Sequence, residues 1–576
     1  MPIEYALSDK YKWILNNQAK PPLSIHDVIE NRHKELLGAH FEKAQKNYFS
    51  TLPSPFTLND IDKATNRVLK AIEKDEKIVI FGDYDVDGTC SSSLFRRFFK
   101  DIGIKIEIYI PCRINEGYGL NRKSLEALKD LNANLIITVD NGTSSIDACL
   151  YAKELGIDVI ITDHHNPQNI LPDAFAIINP KLPNCDFPMK DLSGVGVAFY
   201  FIIALRTKIR DIMPERKLPN LKNYLDYVAI GSIADMVPLT GINHILCKVG
   251  LDVLNTHLKN KDRLGLYYLL KELNWTDDCP LNTEDISFKI APHINAAGRL
   301  KSAKFSEMLL STNDENEAKE LAIKLRKENK ERQDMQKKFT QEAIDELSSL
   351  KKIPKAIVLY KPTWHIGIVG LVASKLVEKF SRPSIILGSN NNEIKGSGRS
   401  FGNFNLFDAL KEHSKEFISF GGHSAAIGLS LEEKKIPYLK SIVEKSITEH
   451  AQNEELMQSL LIDSKVKVND LDMLSLKKIS EIEPFGMNNP KLKWLIQNVK
   501  IDSFKRIGRV TPQTHARILV KDDEENSLWA TAFHVADKLE KIYLNNAKID
   551  MVIEAQISYW KGQEKEDIKI IDVVVK

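Results

Sequence analysis

Three short apolar runs in the first half of the chain each end in acidic residues: KIVIFGDYDVDG at 77–88, LIITVDNG at 135–142 and DVIITDHH at 158–165. Each is rich in Ile and Val and leads into a stretch of helical periodicity, the pattern of buried parallel strands in an α/β domain. Ligands of such sheets bind beyond the carboxyl ends of the strands. The residues gathered there are Asp83, Asp85, Asp87, Asp140, Asp163, His164 and His165. Hard oxygen donors with imidazoles suit Mn²⁺ or Mg²⁺. The pattern therefore predicts a metallo-active site.

A chain of 576 residues is too long for one core, which predicts about three or four domains. Its 43% apolar and 27% charged content is that of a folded protein and argues against long disordered tracts. The net charge of +2 leaves a nucleic-acid partner open, because an acidic metal site can offset a basic groove. Cys90, Cys112, Cys149, Cys185, Cys247 and Cys279 lack CxxC spacing, which argues against a zinc ribbon and a disulfide framework. MPIEYALSDKYKWIL has no basic segment followed by an apolar core, and no run approaches bilayer length, so the expectation is a cytoplasmic protein without a membrane partner.

Along the chain, residues 1–50 carry helical patterning with scattered aromatics such as Trp13 and Tyr48, and read as a packing segment. Strand and helix patterns alternate over 51–240, where the parallel sheet belongs. Residues 241–350 are mainly helical and end in a charged run in which Leu321, Ile323, Leu325 and Phe339 are thinly spaced. That is the pattern of a long polar helix bridging two domains. A smaller α/β region follows over 351–458, with AIVLY and SIILG as buried strands. Five β-rich runs in 459–576, from LKWLIQNVKI to IKIIDVVV, predict a small barrel of the OB-fold type. The fold class is thus multidomain α/β with a C-terminal β-barrel.

Taken alone, DxDxDG also reads as a calcium loop, and a strand-terminal Asp often only caps the next helix. The set is more specific than its parts. DYDVDG and ITDHH resemble the first and third motifs of the DHH phosphoesterase superfamily, and VDNG at 139–142 and IADMVP at 233–238 match its second and fourth in order and spacing. GSGRS at 396–400 and FGGHSAAIGLS at 420–430 resemble the phosphate-gripping motifs of the DHH-associated domain, DHHA1. HINAAGRL (293–300), WHIGIVGLVASKL (364–376) and PFGMNNP (484–490) are similar to the RecJ family of single-strand-specific 5′→3′ DNA exonucleases. NHILCKVGL departs from that family, which more often has Arg at the position of His244.

The resemblance implies a DHH catalytic domain at 51–240, a DHHA1 domain at 351–458 and two divalent ions about 4 Å apart. It implies that Asp140 bridges them, with Asp83 and Asp85 on one ion and Asp87, His164 and Asp235 on the other. The division among the first three aspartates stays open. His165 is expected near the scissile phosphate, and Asp163 behind it as an orienting partner. Asp140, His164, His165 and Asp87 are the expected catalytic set. Ser397, Arg399, Gly421, Gly422 and His423, with Arg113 and Arg299, would hold phosphate, including the 5′-terminal one that sets polarity. In the barrel, Lys493, Lys500, Lys505, Arg506, Arg509 and Arg517, with Phe504 and Trp529, would hold single-stranded DNA. The expected setting is recombination and repair by a monomer, beside a RecQ-type helicase and single-strand binding protein. Two rival readings are a DHH phosphodiesterase for short or cyclic nucleotides and a non-catalytic scaffold. A Rossmann reading fails for lack of GxGxxG after the first strand.

Overall fold

The computed structural model describes residues 11–16, 22–38, 51–112, 116–117, 119–300, 302–390, 393–453, 458–508, 512–560 and 562–576. Tyr48, Arg113 and Arg509 lie outside them. A short strand β1 (Tyr11–Leu15) precedes the first large sheet, made of β2 (Ile78–Gly82), β3 (Glu107–Tyr109), β4 (Leu135–Val139), β5 (Asp158–Thr162) and β6 (Ala176–Ile178). All neighbours are parallel, in the order β3-β2-β4-β5-β6. β2 and β4 are buried along their whole length, which is why they read as unbroken apolar runs. The helices Val86–Asp101 and Gly194–Ile212 pack on this sheet, and Leu225–Ala234 packs on those two helices.

The core of this region does not stop at residue 240. Helix Gly241–Asn260 and the helical stretch through Ile294 bury Leu246, Leu254, Leu266, Ile286 and Ile290 in the same cluster as Phe81, Phe95 and Ile137. The helix Glu315–Ser348, 34 residues long, is the bridge that the charged run predicts. Asp314 caps it, accepting from the Glu317 backbone N–H at 2.8 Å. Its first half buries Leu321 and Leu325 against Leu269 and Leu309, and its second half buries Phe339 and Leu347 against Trp364 and Val372. Ile323 is 56% exposed and belongs to neither stripe.

Beyond the bridge, β7 (Ile357–Tyr360), β8 (Ser384–Asn390), β9 (Glu393–Arg399), β10 (Ser419–His423) and β11 (Ala426–Leu431) form a second sheet, ordered β10-β11-β9-β8-β7. Only β7 and β8 run parallel; the remaining pairs are antiparallel. Then come β12 (Gln458–Ile462), β13 (Ser464–Lys465), β14 (Lys493–Ile507), β15 (His515–Lys521), β16 (Ser527–Ala532), β17 (Lys548–Trp560) and β18 (Gln563–Val575). Pairing runs β14-β15-β16-β18-β17 and back to β14, so five strands close a barrel. This is the OB-type barrel expected from the five runs.

The N-terminal segment differs from its helical expectation. Only Ile25–Leu37 is a helix among its described residues, and Trp13 lies in β1, which pairs in parallel with β12. Trp13 Nε1 donates to Asp572 at 2.8 Å. Ile25, Val28, Ile29, Leu36 and Leu37 join the barrel's own core cluster. Burial alternates along YKWIL, but Trp13, Ile14 and Leu15 are all apolar, so the sequence carries no period-two signal for this strand. No helix among the described residues is long and apolar enough to cross a membrane.

Candidate metal centre and phosphate-facing sheet

β2, β4 and β5 deliver the acidic residues to one edge, and the turns after them aim the side chains. Asp85 caps helix Val86–Asp101, accepting from the Gly88 N–H at 3.1 Å, so the capping reading holds for this residue. It does not exhaust the residue, because carboxylate oxygens of Asp83, Asp85 and Asp140 lie within 4.8 Å of one another. Asp87 sits in the first turn of that helix and accepts from the backbone N–H groups of Gly194 (2.6 Å) and Val195 (2.9 Å). Asp140 has a left-handed backbone, φ 63°, while its N–H donates to the Thr162 carbonyl. A Cβ on Gly194 would come within 2.6 Å of Asp140 Cβ, so only glycine fits against this carboxylate.

His164 Nε2 faces three carboxylates: Asp140 at 3.0 Å, Asp235 at 3.7 Å and Asp87 at 3.9 Å. Burial and the neighbouring His165 push its pKa down to about 3, so the ring is neutral at pH 7. Among the described residues, buried Asp140 Oδ1 and His164 Nε2 find no hydrogen-bond partner. Burial and then mutual repulsion push Asp87 and Asp140 upward and raise Asp235 to about 7. Two cations would relieve this crowding. The donors fall into an Asp83–Asp85–Asp140 group and an Asp87–His164–Asp235 group, with Asp140 also within reach of His164 and His165. Carboxylates plus a neutral imidazole fit Mn²⁺ or Mg²⁺.

His165 is held differently from His164. Asp163 accepts from His165 Nδ1 at 2.7 Å and from the backbone N–H groups of His164 (2.7 Å) and Thr143 (2.9 Å). Burial alone would lower His165, but its bond to Asp163 outweighs that and raises it to about 9. The same bond, against the opposing effect of burial, holds Asp163 well below the usual carboxylate range. One imidazole is thus neutral and the next is charged.

Residues that sequence reasoning missed hold this geometry. Asn141 Nδ2 donates to the carbonyls of Phe81 and Val139, tying β2 to β4. Asn179 Nδ2 donates to Thr143 Oγ1 and to the His165 carbonyl. The segment SGVGV, whose Ser193 caps the Gly194 helix, supplies the donors to Asp87. Its Ser-Gly-x-Gly opening before an apolar run was a legible helix start.

On the second sheet, register brings the other expected residues together. Arg399 pairs with Ala426, which pairs with His423; Ser397 pairs with Gly428, which pairs with Gly421. With a period of two, Ser397, Arg399, Gly421 and His423 share one face, whereas Gly422 belongs to the other. Among the described residues, a Cβ on Gly421 or Gly428 would meet nothing within 4 Å, so the face is open over these two glycines, beside Ser397. Arg399 Nη1 donates to Ser397 Oγ and the Gly398 carbonyl, both at 2.8 Å. Burial lowers the pKa of this guanidinium, and no carboxylate pairs with it among the described residues.

Arg299 connects the two halves. Its Nη1 donates to the Gly367 carbonyl at 3.3 Å, and the adjacent Gly298 is packed against the Tyr84 carbonyl. Gly370, at the start of helix Val369–Phe380, in turn abuts Ser397 Oγ and Arg399. His244 is fully buried, with its pKa pushed down to about 3 by that burial, so it touches no substrate backbone.

Comparison with known proteins agrees with this architecture. Residues 77–232 match the DHH family N-terminal domain, 354–449 the DHHA1 domain and 462–572 the RecJ OB domain. The single-stranded-DNA-specific exonuclease RecJ of Haemophilus influenzae is 34% identical over 90% of this chain and 91% of its own length. The chain belongs to the RecJ family. The RecJ of Bacillus subtilis is 37% identical over 90% of this chain but extends further, so the match covers 64% of it. Among solved structures, RecJ from Thermus thermophilus in complex with Mn²⁺ has a TM-score of 0.78 at 25% identity, covering 98% of this chain and 80% of that one. An exonuclease RecJ bound to manganese has a TM-score of 0.57 at 30% identity, covering 70% and 97%. RecJ structures carrying manganese thus share the fold that forms the carboxylate cluster here.

Proposed function

We propose that this chain is a single-stranded-DNA-specific 5′→3′ exonuclease that releases 5′-mononucleotides. The observation that carries the reading is the pair of buried carboxylate groups joined through Asp140 and His164. Asp83, Asp85 and Asp140 would hold one divalent ion, and Asp87, His164 and Asp235 the other. Bound there, the ions would supply charge neutralisation at the phosphate and activation of water.

The protein groups supply position and protons. Water attacks the phosphorus between the first and second nucleotides, and the bond from phosphorus to O3′ of the first breaks. O3′ departs with a proton, for which the charged His165 is the donor, oriented by Asp163. The strand left behind keeps the phosphate as its new 5′ end. Arg399, Ser397 and His423, on their glycine floor, grip the 5′-terminal phosphate and so set polarity, with Arg299 beside them and Arg113 assigned from the family resemblance.

A polymer substrate is favoured by a row of barrel residues in direct register: Lys505, Arg517, Thr531, Lys569, Glu554 and Lys493. Trp529 is 45% exposed beside this row, with Arg517 5.1 Å from its ring. Cationic positions beside an exposed aromatic suit a single strand. Arg506 is committed instead to Glu540 and Asp537, and Phe504 stacks on Tyr543, so neither belongs to the groove. Recombination and repair as a cytoplasmic monomer beside a RecQ-type helicase and single-strand binding protein is the setting the family resemblance favours.

The test is Mn²⁺-dependent digestion of 5′- and 3′-labelled single strands, with blunt duplex and Asp140→Ala as controls. Mononucleotides released from the 5′ end of single strands alone, and lost in the variant, are expected. Hydrolysis restricted to dinucleotides would overturn the reading.

A further inference from the structure

The motif PFGMNNP at 484–490 has no part in the chemistry above, yet it touches the loop that carries Asp235. Asp87 and Asp163 are each fixed by backbone N–H donors to their carboxylates. Among the described residues, no side-chain hydrogen bond holds the Asp235 carboxylate, and its side chain is 28% exposed against 1% for Asp87 and 2% for Asp140. Its position therefore depends on the backbone that follows helix Leu225–Ala234. That backbone turns sharply at Met236, φ 59°, and reaches Leu239 through Pro238.

Two contacts hold the far end of this turn. Asn243 Nδ2 donates to the Pro238 carbonyl at 3.0 Å, from within the catalytic core. The Leu239 N–H donates to the Met487 carbonyl at 2.8 Å, from outside it. The PFGMNNP loop is itself rigidly built. Gly486 and Asn489 exchange backbone hydrogen bonds, and the fully buried Asn489 donates to the Ile482 and Pro484 carbonyls, both at 2.9 Å. Arg32, from the N-terminal helix, donates to the Pro490 carbonyl at 3.2 Å and to Asp463 at 2.8 Å. Met236 and Met487, flanking the Leu239 bond, line one cavity of about 760 Å³.

We infer that the PFGMNNP loop is a positioning element for Asp235: it clamps the turn 235–239 from the barrel side and so sets divalent-metal affinity at the Asp87–His164–Asp235 group. The inference rests on Asp235 being a metal ligand. It makes the barrel and its N-terminal helix part of the support of the metal centre rather than only a holder of DNA. Groups that orient metal ligands change affinity about 10- to 100-fold when altered.

Gly486 offers the direct test. A Cβ there would lie 2.7 Å from Leu239 Cδ1, and Leu239 is buried, so Gly486→Ala wedges the loop away from the turn. Adding Leu239→Val removes the colliding methyl. Mn²⁺ binding without DNA, followed by electron paramagnetic resonance of free ion, should weaken about tenfold in Gly486→Ala and recover in the double variant. Single-strand binding in EDTA should stay unchanged. Arg32→Gln, which loosens the same loop from a distance, gives a smaller shift in the same direction and serves if Gly486→Ala fails to fold, as judged by thermal melting. Asp235→Asn separates the two levels. If it weakens Mn²⁺ binding while the folded loop variants do not, the positioning role is wrong and the ligand assignment stands. If Asp235→Asn leaves binding intact, the assignment fails and takes the inference with it.

Discussion

The two sheets that carry the proposed site are built on opposite principles. The first crowds like charges into a buried edge, where His164 and five carboxylates press on one another and buried polar atoms go unsatisfied. The second sets a half-buried guanidinium, Arg399, beside bare glycines, with neutral partners at 2.8 Å. On the function proposed above, crowding creates demand for cations and hence chemistry, and openness creates room for an anion and hence grip. Loss of a residue from the first sheet should abolish turnover, whereas loss from the second should change which end of which strand is accepted.

The largest expected effect is therefore Asp140→Ala, lowering kcat by about a thousandfold or more, about 4 kcal/mol of barrier. Single-strand binding measured in EDTA should be unaffected; a parallel loss of binding would break the division of labour. Next is Arg399→Ala, which removes a charge-assisted contact with phosphate worth about 1.5–3 kcal/mol. Its KM for 5′-phosphorylated strands should rise by one to two orders of magnitude, on that same estimate, and approach that for 5′-hydroxyl strands. A drop in kcat alone, with the end preference intact, would move Arg399 to the catalytic side. Trp529→Ala should cost about 1–3 kcal/mol of binding, the worth of one stacked base, on long strands and nothing on the shortest ones.

The smallest effect concerns pH, and its sign follows from burial. Asp87, Asp140 and Asp235 are raised in the folded chain, Asp235 to about 7, whereas unfolded carboxylates titrate near 4. Without metal, the fold holds extra protons between those values, so stability falls as pH rises from about 4 through 7. Mn²⁺ removes that penalty, and the rise in Tm on adding it should be greater at about pH 8 than at about pH 5.5. Equal shifts would mean that the carboxylates are not crowded in solution.

Much of this contrast was legible in residues alone, and for a physical reason. Strand-end Asp and His residues are placed by the period and burial of the runs before them, so topology gathers them without knowledge of any loop. Glycine-rich GSGRS and FGGH are legible for a different reason: an absent side chain leaves a surface open wherever it falls. What escaped was long-range. The donors to Asp87 come from 107 and 108 residues away, and nothing in DYDVDG announces them. Boundaries also escaped, since Leu246 and Ile286 join the sheet's core from a region that looks like a linker in sequence. Arg506 looked like a groove residue until Glu540 and Asp537 were seen to occupy it.

The pairing of β1 with β12 joins distant parts of the chain, Tyr11 to Gln458, and the Trp13 to Asp572 bond that locks it spans 559 residues. During synthesis the strand Tyr11–Leu15 and the apolar face of helix Ile25–Leu37 must therefore wait, unpaired, for almost everything that follows them to be made. The nascent chain carries a sticky beginning past its own finished catalytic core, and a ribosome that stalls before the barrel releases a product with that face uncovered. Truncation before residue 458 would thus yield an aggregation-prone fragment rather than a simple barrel-less enzyme, which is why point changes such as Trp529→Ala are the better probes of the groove.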